Sequence, residues 1–250
     1  MFIRFIRSSY RIPAYLVMTL YHFLYLVWIR IRSSSNPKAM HQLFLRYTHN
    51  VHRLMGIRII FEGELPNYPS ILMGNHRSYI DAVLIPAKHP VAFVARSESK
   101  HWPIIGWGAR AMNTIWVHRK SQESRRQTRE QVKLRLREGF GVVIFPEGTT
   151  HKGPDILEYR PSMFYISAEG GFPVTPIAIE YKDPNIAWVG KVKFLPHAWK
   201  QFGNKHTDVR VTIGETITGD DGQKLLDQTR NWTISETLRL RNLWDEPSLA

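Results

Sequence analysis

The apolar and polar positions of the chain follow two regimes that meet near residue 56. Residues 12–29 (IPAYLVMTLYHFLYLVWI) form an 18-residue run without a formal charge, bracketed by Arg11 and Arg30. Crossing the hydrocarbon of a bilayer takes about 20 apolar residues, so the run is at the lower limit for spanning. Tyr10, Tyr15, Tyr21, Tyr25 and Trp28 supply rings of the kind that settle at headgroup depth. A cleaved signal peptide is disfavoured: the run lacks an A-x-A cleavage pattern and is followed at once by Arg30 and Arg32. After the turn-forming residues 33–37 (SSSNP), Met40, Leu43, Phe44, Tyr47, Val51, Leu54 and Met55 recur at helical spacing. His41, Arg46, His49, His52 and Arg53 are the main polar residues of that stretch, so it reads as a basic amphipathic helix.

Beyond residue 56, short runs rich in Ile, Val and Phe alternate with helical patterns. Strands are expected at 57–61, 71–74, 91–95, 114–117, 142–145 and 174–181. Helices are expected at 81–87, 102–111, 121–138 and 161–168, and a further one over 222–241. This alternation predicts an α/β fold, with a mixed, largely parallel sheet flanked by helices. Sheets of this kind bind ligands beyond the carboxyl ends of their strands. The expected organisation is a two-helix segment, residues 1–55, ahead of an α/β domain, residues 56–250.

Charge sharpens the reading of the first segment. The formal net charge of +13 calls for an anionic partner. Nine basic residues precede the first acidic one, Glu62, and they are interleaved with the most apolar part of the chain. That mixture suits an anionic membrane surface, and the two helices are expected to anchor the protein in the interface. A helical hairpin packed on the core is the alternative, and it leaves the arginine excess unassigned. The arginines of 121–138 read as a solvated face with Glu close in sequence. They lack the interleaved aromatics or DNA-reading motif that a nucleic-acid partner would need. There are no cysteines, which excludes thiolate metal sites and a cysteine nucleophile. No metal site or cofactor is expected.

Three strand ends could carry chemistry. Residues 74–81 (GNHRSYID) follow an apolar strand and place His76 five positions before Asp81. Five residues on one helix correspond to about 140° of rotation. The two side chains therefore meet only if His76 sits in a loop and Asp81 opens the helix. Asp81 could then accept from one ring nitrogen and leave the other as an oriented base for activating a hydroxyl. A structural histidine bonded to a helix-cap aspartate accounts for the pair equally well. Residues 145–150 (FPEGTT) end a second strand, where Pro146 stops the ladder and Gly148 allows a tight turn. Glu147 would point into the crevice above the sheet. A third strand ends in Val117-His118-Arg119-Lys120, where Arg119 could fork onto a phosphate.

Together these residues resemble the glycerolipid acyltransferase superfamily, typified by bacterial 1-acylglycerol-3-phosphate acyltransferase, over nearly the whole chain. N-H-x-x-x-x-D stands at 75–81, the aromatic strand ending in arginine at 114–119, F-P-E-G-T at 145–149, and the later proline-bearing strand at 172–176. The resemblance implies an O-acyltransferase that needs no acyl-enzyme intermediate. His76 would be the general base and Asp81 its support. Asn75, Ser78, Arg119, Glu147, Gly148 and Thr149 would hold substrate. The donor would be acyl-CoA or acyl-carrier protein and the acceptor a lysolipid. The protein would sit at the membrane, on the cytoplasmic face of a bacterial inner membrane. One departure stands out. Many phosphatidic-acid-forming members follow F-P-E-G-T with arginine, whereas this chain has Thr150 and then His151. Lyso-ornithine lipid acyltransferases resemble that variant, and Trp188-Val189-Gly190 has the flavour of the same branch. Lysophosphatidic acid, the commonest acceptor in the family, is the first expectation and lyso-ornithine lipid the second.

Overall fold

The computed structural model describes residues 2–33, 37–85, 88–101, 106, 109 and 114–245. Two helices come first, α1 (Phe2–Ser33) and α2 (Pro37–Met55). Seven strands follow: β1 (Ile57–Glu62), β2 (Ile71–Gly74), β3 (Val91–Arg96), β4 (Ile115–Val117), β5 (Gly141–Ile144), β6 (Val174–Tyr181) and β7 (Thr207–Ile213). Between and after them lie α3 (Gln122–Arg137), α4 (Ser162–Gly170), α5 (Phe194–Phe202) and α6 (Gly222–Asp245). The strands form one sheet in the order β1-β7-β6-β2-β5-β3-β4. Every pairing is parallel except β6 with β7. The expected mixed, largely parallel sheet flanked by helices is therefore the architecture found.

Alternation along the central strands builds two cores. On one face, Leu72, Val143, Ile177, Ile179 and Tyr181 pack with Phe44, Val51 and Met55 of α2 and with Phe202 of α5. On the other, Ile71, Met73, Val142, Ile144 and Val174 meet Val132 and Leu136 of α3, Phe164 of α4 and Leu225 of α6. Residues two apart on a strand share a face, so each central strand feeds both layers. Burial on both faces explains why β2 and β5 read as continuous apolar runs and why β6 buries even Thr175 and Glu180.

Several boundaries differ from those read off the sequence. The helix expected at 81–87 is a 3-10 turn, Tyr79–Val83, and residues 86–87 lie outside the described residues. Most of the helix expected at 102–111 also lies outside them. Neither β7 nor α5 was anticipated. β7 alternates Val209, Val211 and Ile213 with Asp208, Arg210 and Thr212, a period-two signal that was present in the sequence and passed over, and α5 has Pro196 in its first turn, where a helix tolerates it. The helix around the apolar run is far longer than the run itself, because its inner face is fastened by polar groups. Arg11, though buried, donates from Nη1 to the carbonyls of Met55 (3.3 Å), Phe202 (3.2 Å) and Asn204 (2.6 Å). Ser8 Oγ donates to Trp199 O (2.8 Å) and Arg7 to Gly203 O (2.9 Å). The opposite face carries Ile3, Ile6, Tyr10, Val17, Leu24, Trp28 and Ile31, all exposed. Among the described residues, α1 is the one helix long and apolar enough to cross a membrane.

Arg11 therefore holds together the ends of α2 and α5 as well as α1. Arg11→Ala should lower unfolding stability by about 2–4 kcal/mol, as expected when buried carbonyls lose a charged donor. Arg11→Met, which keeps the packing volume, should recover little of that loss; urea unfolding in detergent micelles measures both.

Candidate active site

Because β2 pairs in parallel with both β5 and β6, the loops leaving β2 and β5 emerge side by side at the carboxyl ends of the central strands. Asn75 begins the first loop by extending the sheet with its side chain. Its carboxamide donates to Ile179 O and accepts from Ile179 N, both at 2.8 Å. The next residue, His76, lies in the loop, and Asp81 is the third residue of the 3-10 turn. That is the arrangement the five-residue spacing required.

Asp81 is fully buried and its carboxylate accepts four hydrogen bonds. His76 Nδ1 (2.8 Å), Arg77 N (2.7 Å) and Ser78 N (2.9 Å) all donate to Oδ2, and the Tyr181 hydroxyl donates to Oδ1 (2.7 Å). Burial, and then the negative charge of Asp81, push the Tyr181 phenol up, so it keeps its proton and remains a donor. With Nδ1–H held by Asp81, His76 has Nε2 free of any partner among the described residues, on a side chain 23% exposed. The ring also stacks on Phe145, with centroids 4.2 Å apart and planes 9° from parallel. The Asp81 hydrogen bond sets the tautomer of the imidazole, and that bond and the Phe145 stack together set its orientation.

Glu147 is turned inward rather than open to the crevice. It is 5% exposed and accepts from His76 N (2.8 Å) and Leu157 N (3.3 Å). Burial raises its pKa, opposed by the His76 N–H and by Arg77. Gly148 turns the chain with φ +72, and a Cβ there would come within 2.6 Å of Arg160 Nε. Its carbonyl accepts from Arg96 (2.8 Å) and from Arg119. Burial, then the neighbouring Arg96 and Arg160, bring Arg119 down to about 10, still charged at neutral pH. Three guanidinium groups thus crowd one turn, an arrangement that favours an incoming anion. Thr149 is exposed at the same turn, and the Thr150 hydroxyl donates to Trp188 O. Ser78 offers its backbone N–H to Asp81, while its buried hydroxyl has no partner among the described residues.

The sequence reading missed Arg77, Arg96, Arg160 and Tyr181. Arg77 is buried and donates to the carbonyls of His151 (3.3 Å) and Asp155 (3.1 Å) and to Glu180 (3.2 Å), fixing the loop after the F-P-E-G-T turn. Arg96 ends a strand just as Arg119 nearly does, a signal that was available. Tyr181 gave none, being a hundred positions from its partner.

A profile of the acyltransferase family matches residues 56–180, which include every group described above except Tyr181 and Trp188. The chain belongs to this family. A lyso-ornithine lipid O-acyltransferase of Rhizobium meliloti (strain 1021) is 30% identical to this acyltransferase over 223 residues, 79% of this chain and 76% of the relative. A 1-acyl-sn-glycerol-3-phosphate acyltransferase of Neisseria meningitidis serogroup B is 24% identical over 216 residues, 81% of this chain and 82% of the relative. The crystal structure of the 1-acyl-sn-glycerophosphate (LPA) acyltransferase PlsC of Thermotoga maritima superposes with a TM-score of 0.65 over 92% of this chain and 98% of that one. At 19% identity that likeness concerns the fold. The relatives make this acyltransferase an O-acyltransferase of lipid synthesis.

Two structural predictions follow from this geometry. Asn75→Ala should cost about 2–4 kcal/mol in urea unfolding, since Ile179 loses a partner for both its N–H and its C=O. Glu147 has a raised folded-state pKa, so its contribution to stability is full below the ordinary carboxylate range and is lost as pH rises through the raised value. Glu147→Gln, which does not titrate, should therefore gain in Tm relative to the parent chain between pH 4 and pH 7; a constant difference would contradict that sign.

Proposed function

We propose that this acyltransferase moves a fatty acyl group from acyl-CoA or acyl-carrier protein to the free hydroxyl of a lysolipid at a membrane surface, with His76 as general base. The carrying observation is the His76–Asp81 pair, buried on one side and open at Nε2. As the acceptor oxygen attacks the thioester carbonyl, Nε2 takes the hydroxyl proton and a C–O bond forms. The resulting oxyanion collapses, the C–S bond breaks, and the thiolate recovers the proton from His76. Asp81 stabilises the imidazolium between those two moments. Glu147 positions His76 through its backbone N–H, and Tyr181 positions Asp81. The Asn75 and Ser78 contacts support the loop, whereas Gly148 and Thr149 border the crevice.

Arg119, with Arg96 and Arg160, is suited to the anionic part of the acceptor head group. Lyso-ornithine lipid, whose head group offers a carboxylate, is the first reading. Thr150 stands where an arginine often follows the motif, and its hydroxyl is engaged by Trp188 O instead of facing a ligand. The similarity to lyso-ornithine lipid O-acyltransferases points the same way. Lysophosphatidic acid is the second reading, favoured by the density of guanidinium groups around Gly148. The outer face of α1 would anchor the protein at the membrane, on the cytoplasmic side, where both donors are found.

Transfer assayed in micelles with one acyl thioester and either acceptor separates the two head groups; preference for lysophosphatidic acid would reverse their order. His76→Ala should lower kcat by about 100- to 10,000-fold with the fold intact, and full activity in that variant would sink the mechanism. Arg119→Ala should instead raise the acceptor KM by roughly 10- to 100-fold, the worth of a charge-assisted hydrogen bond. Tyr181→Phe should lower kcat by roughly tenfold at unchanged KM, the worth of one buried hydrogen bond.

A further inference from the structure

The exposed apolar surface does not stop at α1. Phe5, 60% exposed, touches Trp199 of α5, 41% exposed, with ring centroids 5.7 Å apart. Beside Trp199 stand Leu195, 76% exposed, and Val192, 49% exposed. Lys191, Lys193 and Lys200, all exposed, flank these three along the chain. Exposed apolar side chains interleaved with exposed lysines, on the catalytic unit itself, make a surface complementary to anionic lipid: the apolar groups enter the interface while the ammonium groups stay at headgroup level.

We infer that α5 and the segment before it form a second bilayer contact, continuous with the outer face of α1, whose occupant is an anionic phospholipid surface. This rests on the reading of α1 as an anchor and goes beyond it, because it places part of the α/β unit on the membrane. The link between the two surfaces is rigid. Ser8, Arg7 and Arg11 tie α1 to the carbonyls of Trp199, Phe202, Gly203 and Asn204, so α1 cannot enter the interface without bringing α5 to it. The contact also sets the depth of the active site. Phe194, in the first turn of α5, packs on Tyr79 (5.0 Å between centroids) and Trp188 (5.8 Å). Tyr79 opens the 3-10 turn that carries Asp81. Docking through Leu195 and Trp199 would therefore hold the His76 loop at the level where a lysolipid exposes its hydroxyl.

The absence of cysteine makes the test direct. Single-cysteine variants Val17→Cys, Leu195→Cys, Trp199→Cys and Leu238→Cys carry an environment-sensitive fluorophore, and the full chain is bound to phosphatidylglycerol–phosphatidylethanolamine vesicles with and without nitroxide lipids. Val17 reports the α1 anchor, and Leu238, exposed on α6 across the sheet, serves as the aqueous control. Blue-shifted, nitroxide-quenched emission at 17, 195 and 199 but not at 238 is the expected result. A probe at 195 that stays in water while that at 17 is buried overturns the second contact alone. A probe at 17 that stays in water overturns the anchor and this inference with it, and burial of the probe at 238 overturns the assignment of the face. Replacing Lys191, Lys193 and Lys200 by Gln should weaken binding to these vesicles by about fivefold per lysine at low salt. Unchanged affinity would contradict the role of the lysines.

Discussion

The Asp81 carboxylate, held without any exposed surface, is the constraint around which the active-site end of the sheet is arranged. A buried ion costs several kcal/mol unless charge and hydrogen bonds compensate it. Here the compensation comes from two distant parts of the chain: the 76–78 loop, through the ring of His76 and the backbone N–H groups of Arg77 and Ser78, and the phenol of Tyr181 at the end of β6. Satisfying Asp81 thus dictates the path of the loop and the rotamer of the histidine. Asn75 pins the start of that loop to β6, and Glu147 holds its backbone from the β5 side. The orientation of the His76 ring is accordingly a consequence of fold stability, and the two cannot be altered independently.

The arginine excess is divided among distinct physical tasks. Arg7 and Arg11 bind backbone carbonyls at the end of α5, so part of the N-terminal basic charge fastens helices together and does not face lipid. Arg77 and Arg241 share the buried carboxylate of Glu180 on either side of it, and Arg77 also organises the loop after the F-P-E-G-T turn. Arg96, Arg119 and Arg160 converge on Gly148 in the turn after β5. On α3 the arginines pair with nearby glutamates at the surface, as between Arg126 and Glu123 (2.9 Å) and between Arg135 and Glu138 (2.6 Å). Such exposed pairs contribute little to stability.

The two N-terminal helices are less of an appendage than the change in sequence texture at residue 56 suggests. Phe44, Val51 and Met55 belong to the same core as Leu72 and Ile179, and Ile12, Tyr15 and Met18 pack against it. Towards the far end of the pair, Leu26, Ile29, Met40 and Leu43 form a small core of their own. The segment is thus integrated with the sheet at one end and self-supporting at the other. A surface of this kind can present an apolar face without losing its place on the catalytic unit.

The sequence by itself determined the α/β class, six of the seven strands, the amphipathic second helix and the condition under which His76 and Asp81 can meet. Each rests on local information: side-chain periodicity reports burial, and a five-residue spacing limits how two side chains can meet. β7 was legible in the alternation of Val209, Val211 and Ile213 with Asp208, Arg210 and Thr212 but was passed over, whereas α5 is short and carries Pro196, which reads locally as a break. Only the tertiary structure decided that Tyr181 completes the shell of Asp81, that Glu147 supports a backbone and that Arg96 and Arg160 join Arg119. These contacts bring together residues separated by 100, 71 and up to 64 positions. Such partners are chosen by strand order, because β2 lies between β5 and β6 and β3 lies next to β5. Strand order follows from how whole layers bury their apolar faces, and no short window of sequence carries that information.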